Sequence, residues 1–255
     1  MELFNNNGKT AIVTGGGSGI GKTAAHTLAE SGASVALIGR TAEKVEKAAA
    51  EISEATGSEV KGYSGDVTDT SDIKRVVETI YNDFGQIDIL VNNAGTAAFK
   101  DINSLTEEDW DTVMNTNAKS IFFMTQAVAP YMKEQAYGRI INTASVAGEV
   151  SLSFSSVYGT SKAAAIHQTK QLALELAPYN ITVNAISPWF FKTDLNEEAL
   201  ADDSFRSAIE DRSPMKRLGQ LEELQSSILY LASSGSSYVS GQNIFIDGGM
   251  TSYGL

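Results

Sequence analysis

Short aliphatic and β-branched runs alternate along this chain with longer stretches in which apolar positions recur every three or four residues. The short runs at 10–14, 34–38, 60–63, 89–91, 138–143, 182–186 and 243–246 predict strands. Helical periodicity marks 20–31, 42–55, 71–84, 107–133, 157–176 and 221–233. Strand and helix in alternation imply crossover connections, and right-handed crossovers favour a parallel sheet covered on both faces. The expected fold is therefore α/β: one doubly wound domain over residues 1–255, a three-layer α/β/α sandwich around a seven-stranded parallel sheet. Ligands of such sheets bind at the carboxyl ends of the strands. The least regular stretch, 189–217, carries Glu197, Glu198, Asp202 and Asp203. It reads either as a substrate lid or as a solvated connection.

The first strand runs into Thr14-Gly15-Gly16-Gly17-Ser18-Gly19-Ile20-Gly21 and then a helix. Glycines there let backbone amides and a helix N-terminus approach a diphosphate, which makes Gly15, Ser18, Gly19, Ile20 and Gly21 candidate nucleotide contacts. The same stretch also fits a phosphate loop, since Gly16 is followed after four residues by Gly21-Lys22-Thr23. A nucleotide hydrolase needs a further carboxylate at a strand's end to hold magnesium. In this chain Asp88 precedes its strand and Asn92-Asn93 follows it, so that reading lacks its second part and Lys22 is expected to be solvated. The second strand closes with Gly39-Arg40-Thr41, where a carboxylate would select NAD and an arginine suits the extra phosphate of NADP. Thr41 is positioned to cap the following helix. NADP(H) is the expected cofactor, in preference to NAD(H).

Tyr158 and Lys162 stand four residues apart at the start of a helical stretch, on one face, and Ser145 follows the fifth predicted strand at the same sheet edge. A free tyrosine, with a pKa of about 10, is a poor base near neutrality. A neighbouring ammonium and an oxidised nicotinamide would both favour the phenolate. These residues imply proton transfer by Tyr158, with Ser145 on a substrate oxygen and Lys162 on the nicotinamide ribose.

With Asp66-Val67, Asn92-Asn93-Ala94-Gly95, Asn117 and Asp247-Gly248-Gly249, the chain resembles the short-chain dehydrogenase/reductases, a single-domain Rossmann family, over nearly its whole length. The resemblance implies that Asp66 and Val67 contact adenine and that Asn93, Ala94, Gly95 and Pro188 line the cofactor cleft. It gives Thr193 the carboxamide, and has Asn117 kink its helix and hold a water behind Lys162, completing an Asn117, Ser145, Tyr158, Lys162 set. It also implies a homotetramer packed through the 157–176 helix and the C-terminal strand. One departure is Trp189, where the family usually has glycine after Pro188. Its ring either narrows the substrate pocket or packs beneath the lid. Glu149, Trp189 and Phe190 join Ser145 and Tyr158 as candidate substrate contacts, and Lys100, Glu149 and Lys192 could face a polyhydroxylated substrate.

Composition narrows the picture further. With 42% hydrophobic and 20% charged residues the chain reads as globular, and no apolar run approaches a membrane span. Residues 1–9 lack the features of a secretory signal, and without cysteine there is neither disulfide nor thiolate metal site, so a cytoplasmic location is expected. The net charge of −12, from 31 acidic against 19 basic residues, disfavours nucleic acid and anionic lipid as partners. The expected partner is a small-molecule substrate: a sugar acid, a polyol or a small ketone. Reduction of 3-oxoacyl groups on acyl carrier protein is the alternative, weakened because two acidic proteins repel. A non-catalytic NADP-binding regulator is the other alternative. His26 and His167 have no second ligand at a suitable spacing, so no metal is expected. Phe122 and Phe123 are expected in the core.

Overall fold

The computed structural model describes residues 2–153, 156–193 and 196–253. Its strands are β1 (Thr10–Thr14), β2 (Ser34–Gly39), β3 (Val60–Ser64), β4 (Ile89–Asn92), β5 (Gly138–Thr143), β6 (Ile181–Pro188) and β7 (Asn243–Ile246). They form one parallel seven-stranded sheet in the order β3-β2-β1-β4-β5-β6-β7. The strand order reverses between β1 and β4, which opens a crevice at their carboxyl ends.

The helices are α1 (Gly19–Glu30), α2 (Ala42–Thr56), α3 (Thr70–Phe84), α4 (Glu107–Met114), α5 (Ser120–Glu134), α6 (Ser156–Leu176), α7 (Glu197–Leu200), α8 (Asp203–Arg212) and α9 (Gln225–Ala232). Alternate residues of one strand enter opposite cores: Ala11 and Val13 pack with α1, α2 and α9, whereas Ile12 packs with α3, α5 and α6. This two-sided cover explains why the strands read as unbroken apolar runs. Each aliphatic side chain fully buried there contributes about 1.5–3 kcal/mol relative to exposure. The Asp69 carboxylate starts α3 by accepting from the Ser71 and Asp72 amides, and Gly85, at φ 77°, ends it in the left-handed region. Among the described residues no helix is long and apolar enough to cross a membrane.

The observed elements depart from the sequence reading at several places. The apolar period reads 107–133 as one helix; at Asn117, where the family resemblance implies a kink, a π-helical turn, Asn115–Lys119, separates α4 from α5. The stretch 221–233 begins as a 3-10 turn, Leu221–Leu224, before α9. Within 189–217 the chain forms α7 and α8; α8 buries none of its residues, so it carries no apolar stripe for periodicity to detect. Phe122 is not in the core: it lies off the stripe of Ile121, Met124 and Val128 and is 41% exposed. Phe123 is half-buried and meets it edge-on.

Candidate active site

Gly15 (φ 65°) and Gly19 (φ 50°) give the turn after β1 its left-handed steps. A Cβ on Gly21 would collide with the Gly15 carbonyl oxygen, so the first turn of α1 can sit on its own approach loop only as glycine. The loop is pinned to β4: the Thr14 hydroxyl accepts from the Asn93 and Ala94 amides at 2.9 and 3.0 Å, and Asn93 Nδ2 donates to the Thr14 carbonyl at 3.1 Å. Ser18 precedes α1, and its hydroxyl makes no capping bond. An uncommitted hydroxyl beside free helix amides is a site suited to a phosphate. The phosphate-loop residues are committed elsewhere. Lys22 pairs with Glu51, the Thr23 hydroxyl donates to Gly19 O at 3.1 Å, and Asp88 accepts from Lys9 and Thr10 at the opposite sheet edge.

From this turn a cavity of about 270 Å³ runs along the carboxyl edge of the sheet to Ser145, Tyr158 and Lys162. Ser145 leaves β5 just where the chain turns, and its Oγ accepts from the Ala147 amide at 3.1 Å, which fixes its orientation. Tyr158 and Lys162 come from the first turns of α6. Lys162 Nζ donates to the Thr143 carbonyl at 2.8 Å and lies 5.7 Å from the centre of the Tyr158 ring. Behind them, Asn117 sits in the π-helical turn and grips Thr96 twice: Oδ1 accepts from its amide and Nδ2 donates to its carbonyl, both at 2.8 Å. Nδ2 also donates to Ser161 Oγ at 2.9 Å. The wide turn thus ties the β4 loop to α6 through one side chain.

Burial pushes the Tyr158 phenol up from its ordinary range, and its hydrogen bond with Ser145 pulls it back in part. Burial brings the Lys162 ammonium down to about 8. In the protein alone the phenol is therefore held in its acid form. The expected lowering invokes the Lys162 ammonium together with an oxidised nicotinamide; in the protein alone burial is the largest influence on both groups.

A family model described as enoyl-(acyl carrier protein) reductase matches residues 15–251. Gluconate 5-dehydrogenase of Gluconobacter oxydans is 38% identical over 250 residues, covering 98% of this chain and 97% of the relative. The chain belongs to the short-chain dehydrogenase/reductase family. A second member, 3-oxoacyl-(acyl-carrier-protein) reductase of Thermotoga maritima, is 42% identical over 243 residues, 95% of this chain and 98% of the relative. A crystal structure of a gluconate 5-dehydrogenase from Burkholderia cenocepacia, in complex with NADP and tartrate, superposes with a TM-score of 0.96 at 34% identity, covering 99% of each chain. The chain is thus an NAD(P)-dependent oxidoreductase of carbonyl and alcohol groups.

Within this short-chain dehydrogenase/reductase, most sequence candidates meet at the one cavity: Gly15, Ser18, Gly19, Ile20, Asn93, Ala94, Gly95, Ser145, Tyr158, Lys162, Pro188, Trp189 and Thr193 line it. Others do not. Arg40 and Thr41 are exposed at the end of β2, and Thr41, expected as a cap, makes no side-chain capping bond. Val67 is buried in the core, and Asp66 accepts from the Thr68 amide and hydroxyl. Glu149 is exposed and lines a separate cleft, and Phe190 lines a second cavity. Lys100 and Lys192 are held by Asp109 and Glu197, at 2.8 and 3.1 Å, so neither is free for a polyol. Asp194 and Leu195 of the expected lid lie outside the described residues.

Sequence reasoning missed Thr96, Thr143, Phe191 and Asn196 at the cavity and Ser161 behind it. Asn196 accepts from the Thr193 amide and donates to the Phe191 carbonyl, both at 2.9 Å, so it fixes the loop carrying Thr193. An asparagine three residues beyond a threonine after a strand end is a readable turn signal. Thr143, by contrast, contributes a main-chain carbonyl, for which residue type is no guide.

Proposed function

We propose that this protein is an NADP(H)-preferring enzyme that interconverts a small ketone and its secondary alcohol, with Tyr158 as the general acid and base. The observation that carries this reading is the meeting of Ser145, Tyr158 and Lys162 in the cavity whose far end is the glycine turn. The nicotinamide supplies or accepts the hydride. Ser145 donates a hydrogen bond to the substrate oxygen, and Tyr158 gives that oxygen its proton on reduction or takes it on oxidation. Lys162 holds the ribose hydroxyls and places its charge where the phenolate forms. Asn117 positions α6 against the β4 loop and relays protons through a water behind Lys162. Asp66 and Val67 border the adenine, and Thr193 the carboxamide. In this reading residues 1–255 act as one unit under a lid at 189–217. The enzyme works in the cytoplasm as a homotetramer that covers exposed Trp110, Phe122 and Leu174.

The cofactor preference rests on Arg40, whose guanidinium has no ion-pair partner among the described residues, and on the uncommitted Thr41 hydroxyl. The cleft that contains Arg40 also holds Glu107, Glu108 and Asp111, so among the described residues lining it Arg40 supplies the positive charge. Arg40→Asp should weaken NADPH relative to NADH by roughly 100-fold, measured as the ratio of dissociation constants. An unchanged ratio would place the phosphate elsewhere.

A pH dependence follows from the raised phenol. Phenolate is the form that takes the alcohol's proton, and its fraction grows with pH, so kcat/KM for oxidation should climb about tenfold per unit below the Tyr158 pKa. Ketone reduction needs the protonated phenol and should fall over the same alkaline range. Profiles that are flat in both directions would rule out Tyr158 as the titrating group.

A further inference from the structure

Beside the catalytic cavity lies a second one of about 290 Å³, and the two share Trp189 and Phe191 as a common wall. The rest of its apolar lining is Phe190, Met215, Phe245 and Ile246. Its charged groups are already satisfied. Arg217 holds Glu223 through bonds of 2.8 and 2.6 Å, and the Asp247 carboxylate accepts from the Gly249 and Thr251 amides and the Thr251 hydroxyl. Ser213 adds a hydroxyl.

The indole N–H of Trp189 is buried and unpartnered, so the ring can turn without breaking a hydrogen bond. The ring meets Phe190 edge-on at 4.9 Å, and Phe190 in turn meets Phe205 at 5.9 Å. Phe99, half-exposed, packs on the Tyr158 ring with 5.5 Å between ring centres. Among the described residues lining either cavity the cations are Lys162 and Arg217, and both are engaged.

We propose that the second cavity is the subsite for the substrate's apolar substituent, with Trp189 as its movable wall, so that the substrate is a ketone or secondary alcohol bearing a compact aryl or cyclic apolar group. This rests on the reading of Tyr158 as the acid and base of the adjoining cavity. A polyhydroxy acid would set hydroxyls against Phe190, Phe245 and Ile246 with no free cation for its carboxylate. An aryl group would bury its faces there.

The test compares wild type, Trp189→Ala and Met215→Trp with NADPH and three probes: acetophenone, butanone and ketogluconate. Met215 is 62% exposed, so a larger ring at that position can fill the cavity from its rim. Wild type should prefer acetophenone. Met215→Trp should lower the acetophenone-to-butanone ratio of kcat/KM by roughly tenfold, mainly through KM, and Trp189→Ala, which opens the shared wall, should change the KM of acetophenone more than that of butanone. A ratio unmoved in a folded Met215→Trp protein overturns the subsite. Turnover of ketogluconate alone also overturns it, while leaving the Tyr158 chemistry standing. Turnover of none of the probes by wild type overturns the subsite, and equal turnover of any probe by Tyr158→Phe and wild type removes the catalytic reading with it.

Discussion

Tyr158→Phe should lower kcat by about 10³–10⁴-fold in both directions while leaving the NADPH dissociation constant within about threefold of wild type. The loss corresponds to roughly 4–5.5 kcal/mol of transition-state stabilisation, at about 1.4 kcal/mol per decade. The substitution removes one oxygen and keeps the ring that packs against Phe99. Lys162 keeps its place because its hydrogen bond is to the Thr143 carbonyl, not to the phenol. The glycine turn and Ser18 lie at the far end of the cavity and are untouched. Steady-state rates at the nicotinamide band, with a fluorescence titration of NADPH, separate the two quantities. A variant that retained more than about a tenth of wild-type kcat would sink the acid-base assignment.

The second large effect is expected at Gly21. Gly21→Ala should weaken NADPH binding by roughly 100-fold and destabilise the protein by about 1–3 kcal/mol, the usual range for forcing an atom into packed surroundings. The new Cβ would meet the Gly15 carbonyl and Asn93 Nδ2, and the first of these is main chain that cannot rotate aside. Relief requires the loop to move, but Thr14 and Asn93 bind it to β4. Gly17→Ala is the control: its Cβ would meet Lys44 Cγ at 3.1 Å, a contact that a shift of a few tenths of an ångström relieves, and the effect should be far milder. Isothermal titration and thermal melts of the two variants check both numbers. Wild-type affinity in Gly21→Ala would mean that the turn does not carry the diphosphate.

The strand and helix pattern was legible because a sheet buried on both faces forces long apolar runs, and helices packed on it show one apolar stripe. β1 and β5, buried at every position, and α3, with Ile73, Val76, Val77 and Ile80 inward, illustrate both rules. Where that condition failed, so did the reading. α8 lies outside the core, and Phe122 sits one position off the stripe, which composition cannot distinguish from a position on it. The break in the long helix at Asn117 is implied by the family resemblance and not by the apolar pattern, and Asn117 there bonds Thr96 and Ser161, partners 21 and 44 residues away.

The sequence by itself determined the doubly wound topology, the glycine turn and the family, because each rests on local spacing: a strand, a tight turn and a helix start, or two side chains four apart on one helix. Only the tertiary structure decided which polar groups remain free. Lys100 and Lys192 looked available to a polyhydroxylated substrate and are ion-paired with Asp109 and Glu197. Lys22, expected to be solvated, pairs with Glu51, and the Thr41 hydroxyl, expected to cap α2, makes no capping bond. The same holds for Tyr158, whose phenol is pushed up by burial, a property of everything packed around it. Charge and hydrogen bonding depend on neighbours brought together from across the chain, and spacing along the chain does not contain them.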